Sequence, residues 1–167
     1  MNTREFLGTI PFFADVLDGK QLEALAAAAR RVEFDRGAAL IREDDLGNEM
    51  YALIGGSVEV SVHDGSGQRH VATVNAGQIV GEMSLLTGAR RAATVTATTP
   101  VTALQIGKDA LQPILDSSPV LYEHFALMLE KRQHELDRVY GHGFWNLFGL
   151  PRDELTLVMR SFFGGPT

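Results

Sequence analysis

Gly77-Gln78-Ile79-Val80-Gly81-Glu82-Met83-Ser84-Leu85-Leu86-Thr87-Gly88-Ala89-Arg90-Arg91-Ala92-Ala93-Thr94-Val95 is the stretch on which the reading of this chain turns. A strand ends at Val80. Gly81 permits a tight turn and close approach of backbone. Glu82 to Leu86 form about one helical turn, whose first N–H groups have no intrahelical partner and favour an anion. Gly88 ends the turn, and Arg91 stands where a new strand begins. A phosphate between that helix start and the Arg91 guanidinium would be held by charge-assisted hydrogen bonds. Glu82 lies beside the same place. Its carboxylate only accepts hydrogen bonds, so it suits a sugar hydroxyl and not a phosphate. One Arg, one Glu and a nest of N–H groups describe a pocket for a cyclic ribose phosphate. Taken alone, Glu82 reads first as a helix-start carboxylate favoured by the dipole. Arg90 reads as a solvated neighbour that points away from Arg91.

On the N-terminal side of this stretch the chain alternates short β-branched runs with turn residues. Val32–Phe34, Ala39–Ile41, Met50–Ile54, Val58–Val62 and His70–Val74 precede it, and Ala93–Ala97 and Val101–Ile106 close the series. Glycines and aspartates punctuate the gaps. Val58, Val60 and Val62 alternate with Glu59 and Ser61, the period of a half-buried strand. Asp64-Gly65-Ser66-Gly67 is a hairpin turn. Many short strands at this spacing make a sandwich, jelly roll or small barrel.

Helices bracket this region. Residues 12 to 30 read as helical, with Leu17, Leu22, Leu25 and Ala29 near one face and Asp15 or Asp18 as cap. A short helix runs from Asp109 to Leu115. Ser118-Pro119 then opens a long one, Ser as N-cap and Pro at the first position. Its apolar stripe is Leu121, Phe125, Met128, Leu129, Leu136, Val139 and Tyr140, and Gly141 stops it. The fold class is therefore α+β: an antiparallel β-roll, jelly-roll-like, flanked by an N-terminal helix and a long C-terminal helix. Residues 1–140 form this domain and residues 141–167 a tail. The tail holds Phe144, Trp145, Phe148, Phe162 and Phe163, five of the 13 aromatic residues. Leu150-Pro151 starts a short amphipathic helix in it, with Leu155, Val158, Met159 and Phe162 on one side. Such a cluster either folds back on the domain or serves a partner or oligomer contact.

The central stretch closely resembles the phosphate-binding cassette of cyclic nucleotide-binding domains. The pattern is Gly-Glu, an apolar residue, a small residue, Leu, a spacer, then Arg, a small residue, Ala, Thr or Ser, and Val. Gly81, Glu82, Met83, Ser84, Leu85, Arg91, Ala92, Ala93, Thr94 and Val95 match it. Phe34-Asp35-Arg36-Gly37, Gly47-Asn48-Glu49-Met50-Tyr51 and Ile54-Gly55-Gly56-Ser57-Val58-Glu59-Val60 resemble the family's strand-and-glycine pattern, so the resemblance covers roughly residues 9 to 140. It implies that Arg91 pairs the cyclic phosphate, that the N–H groups of Ser84 and Ala92 add bonds, and that Glu82 takes the ribose 2′-hydroxyl. It places Gly81, Glu82, Met83, Ser84, Arg91, Ala92 and Ala93 at the ligand. The position after the Arg often carries Thr in cGMP-preferring members. Ala92 there leans towards cAMP, with cGMP as the alternative. The long last helix would lid the base, and the polar head of Arg132, on its apolar stripe, would touch the purine edge or stack on it; the plain alternative is that Arg132 snorkels to solvent or pairs with a nearby acid.

Composition narrows the rest. The chain has 167 residues, 45% hydrophobic and 22% charged, with a formal net charge of -6 and no cysteine. Disulfides, thiolate nucleophiles and Cys-ligated zinc are excluded. The acidic balance argues against a general nucleic-acid surface. No apolar run approaches the roughly 18 residues of a membrane span, and the N-terminus is no signal peptide. His63 and His70 flank a turn but form no jelly-roll metal set. His124, His134 and His142 make no ligand pair, and no Ser lies in a nucleophile context. No catalysis, metal or cofactor is expected. The expected role is a regulatory sensor that passes closure of the last helix to an attached or partner effector, a channel being one case. The competing reading is a degenerate module kept for oligomerisation. A DNA-binding regulator is disfavoured: only Arg152 and Arg160 are basic after Tyr140. A cytoplasmic location is expected, alone or as the cytoplasmic part of a membrane protein.

Overall fold

The computed structural model describes residues 1–140 and 151–164, apart from the side chains of residues 136–140. The expected stop at Gly141, His142 and the aromatics Phe144, Trp145 and Phe148 lie outside the described residues. The chain divides into two compact units, residues 29–107 and residues 1–28 with the chain from 108 onward.

Residues 29–107 are two antiparallel sheets. One has the strand order β1 (Arg30–Phe34), β8 (Val101–Gly107), β3 (Glu49–Gly55) and β6 (Ile79–Val80). The other has the order β2 (Ala39–Ile41), β7 (Thr94–Ala97), β4 (Ser57–Asp64) and β5 (Gly67–Asn75). The alternation read in β4 holds for Val58 and Val60, which are buried. Val62 is only half-buried, beyond a bulge at Val60/Ser61 that breaks the register with β5. The hairpin closes at Asp64↔Gly67, where the Asp64 carboxylate accepts from the Ser66 N–H at 2.9 Å and hydroxyl at 2.7 Å. Met50, Ala52, Leu53, Ala103 and Ile106 are fully buried on β3 and β8.

The second unit is helical: α1 (Thr3–Leu7), α2 (Pro11–Ala14), α3 (Gly19–Ala28), α5 (Lys108–Ser117), α6 (Leu121–Tyr140) and α7 (Arg152–Phe162). The sequence reading ran one helix over 12–30; the chain instead breaks after Ala14. Asp18 caps α3, its carboxylate accepting from the Gln21 N–H while Gln21 accepts from the Asp18 N–H, both at 2.8 Å. This reciprocal cap restarts the helix. Ala29 falls beyond its end and is half-buried. α1 went unread, although Asn2 and Glu5 form the same kind of box. α6 begins two residues after Pro119, the Ser118 carbonyl accepting from the Leu121 N–H at 3.0 Å. Leu121, Tyr122, Phe125, Ala126 and Leu129 are its buried stripe, with Met128 half-buried.

α7 packs on α6. Leu155, Met159 and Phe163 are buried, whereas Val158 is exposed. The Phe163 carbonyl accepts from Gln112 Nε2 at 2.7 Å, Phe163 meets the Tyr122 ring edge-on, and Lys108 Nζ sits 4.2 Å from the Phe162 centroid. Of the two readings of the tail aromatics, folding back is what Phe162 and Phe163 do.

Candidate functional site

The cassette lies wholly within residues 29–107. Chain leaving β6 turns at Gly81, whose φ of 86° places it in the left-handed region. A Cβ there would also lie 2.9 Å from Arg91 Nη1 and 3.1 Å from the Glu49 carbonyl. Glycine is thus required twice, by backbone conformation and by space. The turn that follows is α4 (Glu82–Thr87). It stops because Gly88, at φ 73°, swings out of the helix and donates to the Ser84 carbonyl at 2.9 Å, while the Thr87 hydroxyl donates to the Met83 carbonyl at 2.7 Å. Most of the element is inward: Glu82, Met83, Ser84, Leu85 and Leu86 are buried and Thr87 is half-buried. Burial of a carboxylate and a hydroxyl beside leucines is uncommon for residue types that normally stay in water.

Arg91 is the second half of the site. It was expected at the start of a strand, but β7 begins only at Thr94, and Arg91 sits in the connection before it. What fixes it there is a loop. The Asp44 N–H donates to the Arg91 carbonyl at 2.8 Å, and the Arg91 N–H donates to the Asp45 carbonyl at 2.9 Å. Arg90 is exposed, as expected, yet also donates to the Asp44 carbonyl at 3.0 Å. Asp44 takes a left-handed φ of 69° to make these bonds, a conformation Asp tolerates better than most residues. The pair Asp44-Asp45 is therefore the brace of the arginine. Its side chains at Asp44 and Asp45 are indeed exposed, but its backbone is the working part.

The Arg91 side chain is only 5% exposed. Nη1 donates to the Gly81 carbonyl at 3.4 Å, and Nη2 lies 3.5 Å from Glu49 Oε1. Burial pulls the guanidinium below its usual pKa range, and the charges of Glu49, Tyr51, Glu82 and Asp45 pull it back up. The Tyr51 phenol is pushed up by burial and by Glu49, against the Arg91 charge. On its other side the guanidinium rests against Gly47, where a Cβ would stand 2.5 Å from Nε and 2.6 Å from Nη2. Gly81, Glu82 and Arg91 are thus gathered around one cation, with Ala93 buried and Ala92 half-buried just beyond it. Arg132 lies half-buried on α6, in the helical unit. Glu49 and Gly47 were not singled out from the sequence. Their signal was only their place in the Gly47-Asn48-Glu49-Met50-Tyr51 turn.

A model of the cyclic nucleotide-binding domain matches residues 31–118, from β1 through α5. This chain belongs to the cyclic nucleotide-binding domain family. Within the family it is 37% identical over 66% of its length to the Pycsar effector protein PaPycTIR of Pseudomonas aeruginosa, covering 35% of that protein. It is 31% identical over 78% of its length to a cGMP-dependent protein kinase of Eimeria tenella, covering 12% of it. The regulatory domain of Toxoplasma gondii PKA, crystallised with cAMP, superposes with a TM-score of 0.66 at 26% identity, over 92% of this chain and 54% of that one. The chain therefore spans about a third or less of the length of these two curated relatives. The cyclic nucleotide-binding domain is a regulatory and not a catalytic module, and among the described residues no helix is long and apolar enough to cross a membrane.

Proposed function

We propose that this cyclic nucleotide-binding domain is a cAMP sensor, taking cAMP in preference to cGMP and relaying occupancy to an effector. The observation that carries the reading is the burial of Glu82 and Arg91, at 4% and 5% exposure, on either side of one glycine-bounded turn. A ribose phosphate suits both groups, an anion for the guanidinium donors and a hydroxyl for the carboxylate. The phosphate takes Arg91, with the N–H groups of Ser84 and Ala92. The 2′-hydroxyl donates to Glu82. Ala92 offers no hydroxyl to a guanine, which supports adenine.

Arg132 then touches the purine as α6 moves onto the base. The ligand acts by binding the closed state better than the open one. That movement is what an attached or partner effector reads, a channel being one candidate. The test is isothermal titration of the chain with cAMP and cGMP in parallel. Micromolar or tighter cAMP binding with weaker cGMP binding is the expected result. Stronger cGMP binding sinks the selectivity, and no heat with either sinks the sensor reading in favour of a module kept for assembly.

A further inference from the structure

We propose that Glu49 is an internal competitor for Arg91 that holds down the affinity of the site for its anionic ligand. The inference rests on the reading of Arg91 as the phosphate partner. Glu49 opens β3, and its Oε1 faces Arg91 Nη2 at 3.5 Å. The two ends of this pair differ in accessibility: the Glu49 side chain is 31% exposed and that of Arg91 5%. The carboxylate can therefore swing to water while the guanidinium stays where the cassette holds it.

The bonds that hold the guanidinium are loose. Its contacts to the Gly81 carbonyl and to Glu49 lie at 3.4 and 3.5 Å, at or beyond the long edge of hydrogen-bond distances. A guanidinium carries five N–H donors, so it has capacity for a tighter anion. Gly47 closes one face of the group and the Gly81 carbonyl engages Nη1. Nη2 is thus the nitrogen that carboxylate and phosphate must contest. They bear the same sign of charge, so both cannot crowd it without repulsion. Being part of the chain, the carboxylate is present at fixed local concentration, whereas the ligand must displace it from solution. The part-exposed carboxylate makes this a modest competitor, not a block.

The test uses the full chain. Glu49→Gln keeps the size of the side chain and removes its charge. It and the parent are titrated with cAMP by calorimetry, then melted with and without the ligand. The expected result is a Kd lower by roughly two- to fivefold, a lower ligand-free Tm, and a larger Tm gain at saturating cAMP. Should Glu49→Gln not fold, Glu49→Asp, which keeps the charge but shortens its reach, should tighten binding in the same direction by less. Unchanged or weaker affinity in a folded variant overturns the competitor and leaves the sensor reading standing. A parent that binds neither cAMP nor cGMP overturns both.

Discussion

Arg91 and Tyr122 are buried to similar depth, at 5% and 2% exposure, yet their surroundings are opposites. Arg91 sits in a built environment: a braced backbone, a glycine wall and a carboxylate from residues 44–49, and a carbonyl from Gly81. The Tyr122 hydroxyl, among the described residues, has no hydrogen-bond partner, and the same is true of Gln133 Nε2 further along α6. Tyr122 is there for its ring, which meets Phe163 edge-on and lies under Arg160, 4.9 Å from the centroid. A polar group with assembled partners is held for what it does. One without them is carried along by the apolar part of its side chain. The cassette is therefore organised for polar recognition, and the α5–α6–α7 cluster for packing.

The largest effect tests the first half of this contrast. Arg91→Ala removes the only cation the cassette reading gives the phosphate, and truncating a buried charge partner typically costs about 2–5 kcal/mol of binding. The expected outcome is cAMP affinity weaker by at least about a hundredfold in titration calorimetry, in a protein that still folds because Glu49 can turn to solvent. Binding equal to the parent's would show that the phosphate lies elsewhere. The packing half is tested by Met159→Ala. Met159 is fully buried where α7 meets its neighbours, so about 2–4 kcal/mol of stability should be lost in denaturant unfolding. A loss under ~0.5 kcal/mol would mean that α7 is not docked in solution.

The same contrast explains what could be read from residue order. The cassette was legible because its constraints are local. Gly81, Glu82, Gly88 and Arg91 lie within eleven positions, and each is a residue type with few alternatives in its role. The strands of the two sheets were legible from β-branched runs between turns. The brace was not. Asp44 and Asp45 hold Arg91 through backbone groups, which any residue carries, so no side-chain pattern marks them. Glu49 lies 42 positions from Arg91, and nothing in the sequence says that pairing of β3 with β6 sets Glu49 beside the Gly81 turn that Arg91 reaches. The break between α2 and α3 was missed because Leu17 is buried outside either helix and so continues their apolar pattern.

Gly47→Ala sharpens the comparison inside the cassette itself. The added methyl would meet the guanidinium, the far end of a flexible side chain, at 2.5 to 2.7 Å. Arg91 should yield while the backbone stays. The expected outcome is cAMP affinity weaker by about tenfold, in keeping with the sensitivity of such sites to displacements near 1 Å, with Tm within a few degrees of the parent. A large drop in Tm with affinity kept would instead make Gly47 a folding glycine.

The smallest effect belongs to Tyr122→Phe, and its sign carries the information. Burial, and then the Asp116 charge, hold the phenol above its usual pKa range, with Arg160 acting against them, so the hydroxyl is neutral at every pH where the protein would be studied. Removing a buried hydroxyl that has a partner typically costs about 0.5–1.5 kcal/mol, whereas removing one without a partner relieves its desolvation. The ring that packs on Phe163 and under Arg160 is retained by phenylalanine. The expected outcome is a gain of about 0.5–1 kcal/mol in denaturant unfolding and no change in cAMP affinity. A loss of that size would mean that the hydroxyl is partnered in solution, and that the helical cluster, like the cassette, keeps its buried polar groups because they are bonded.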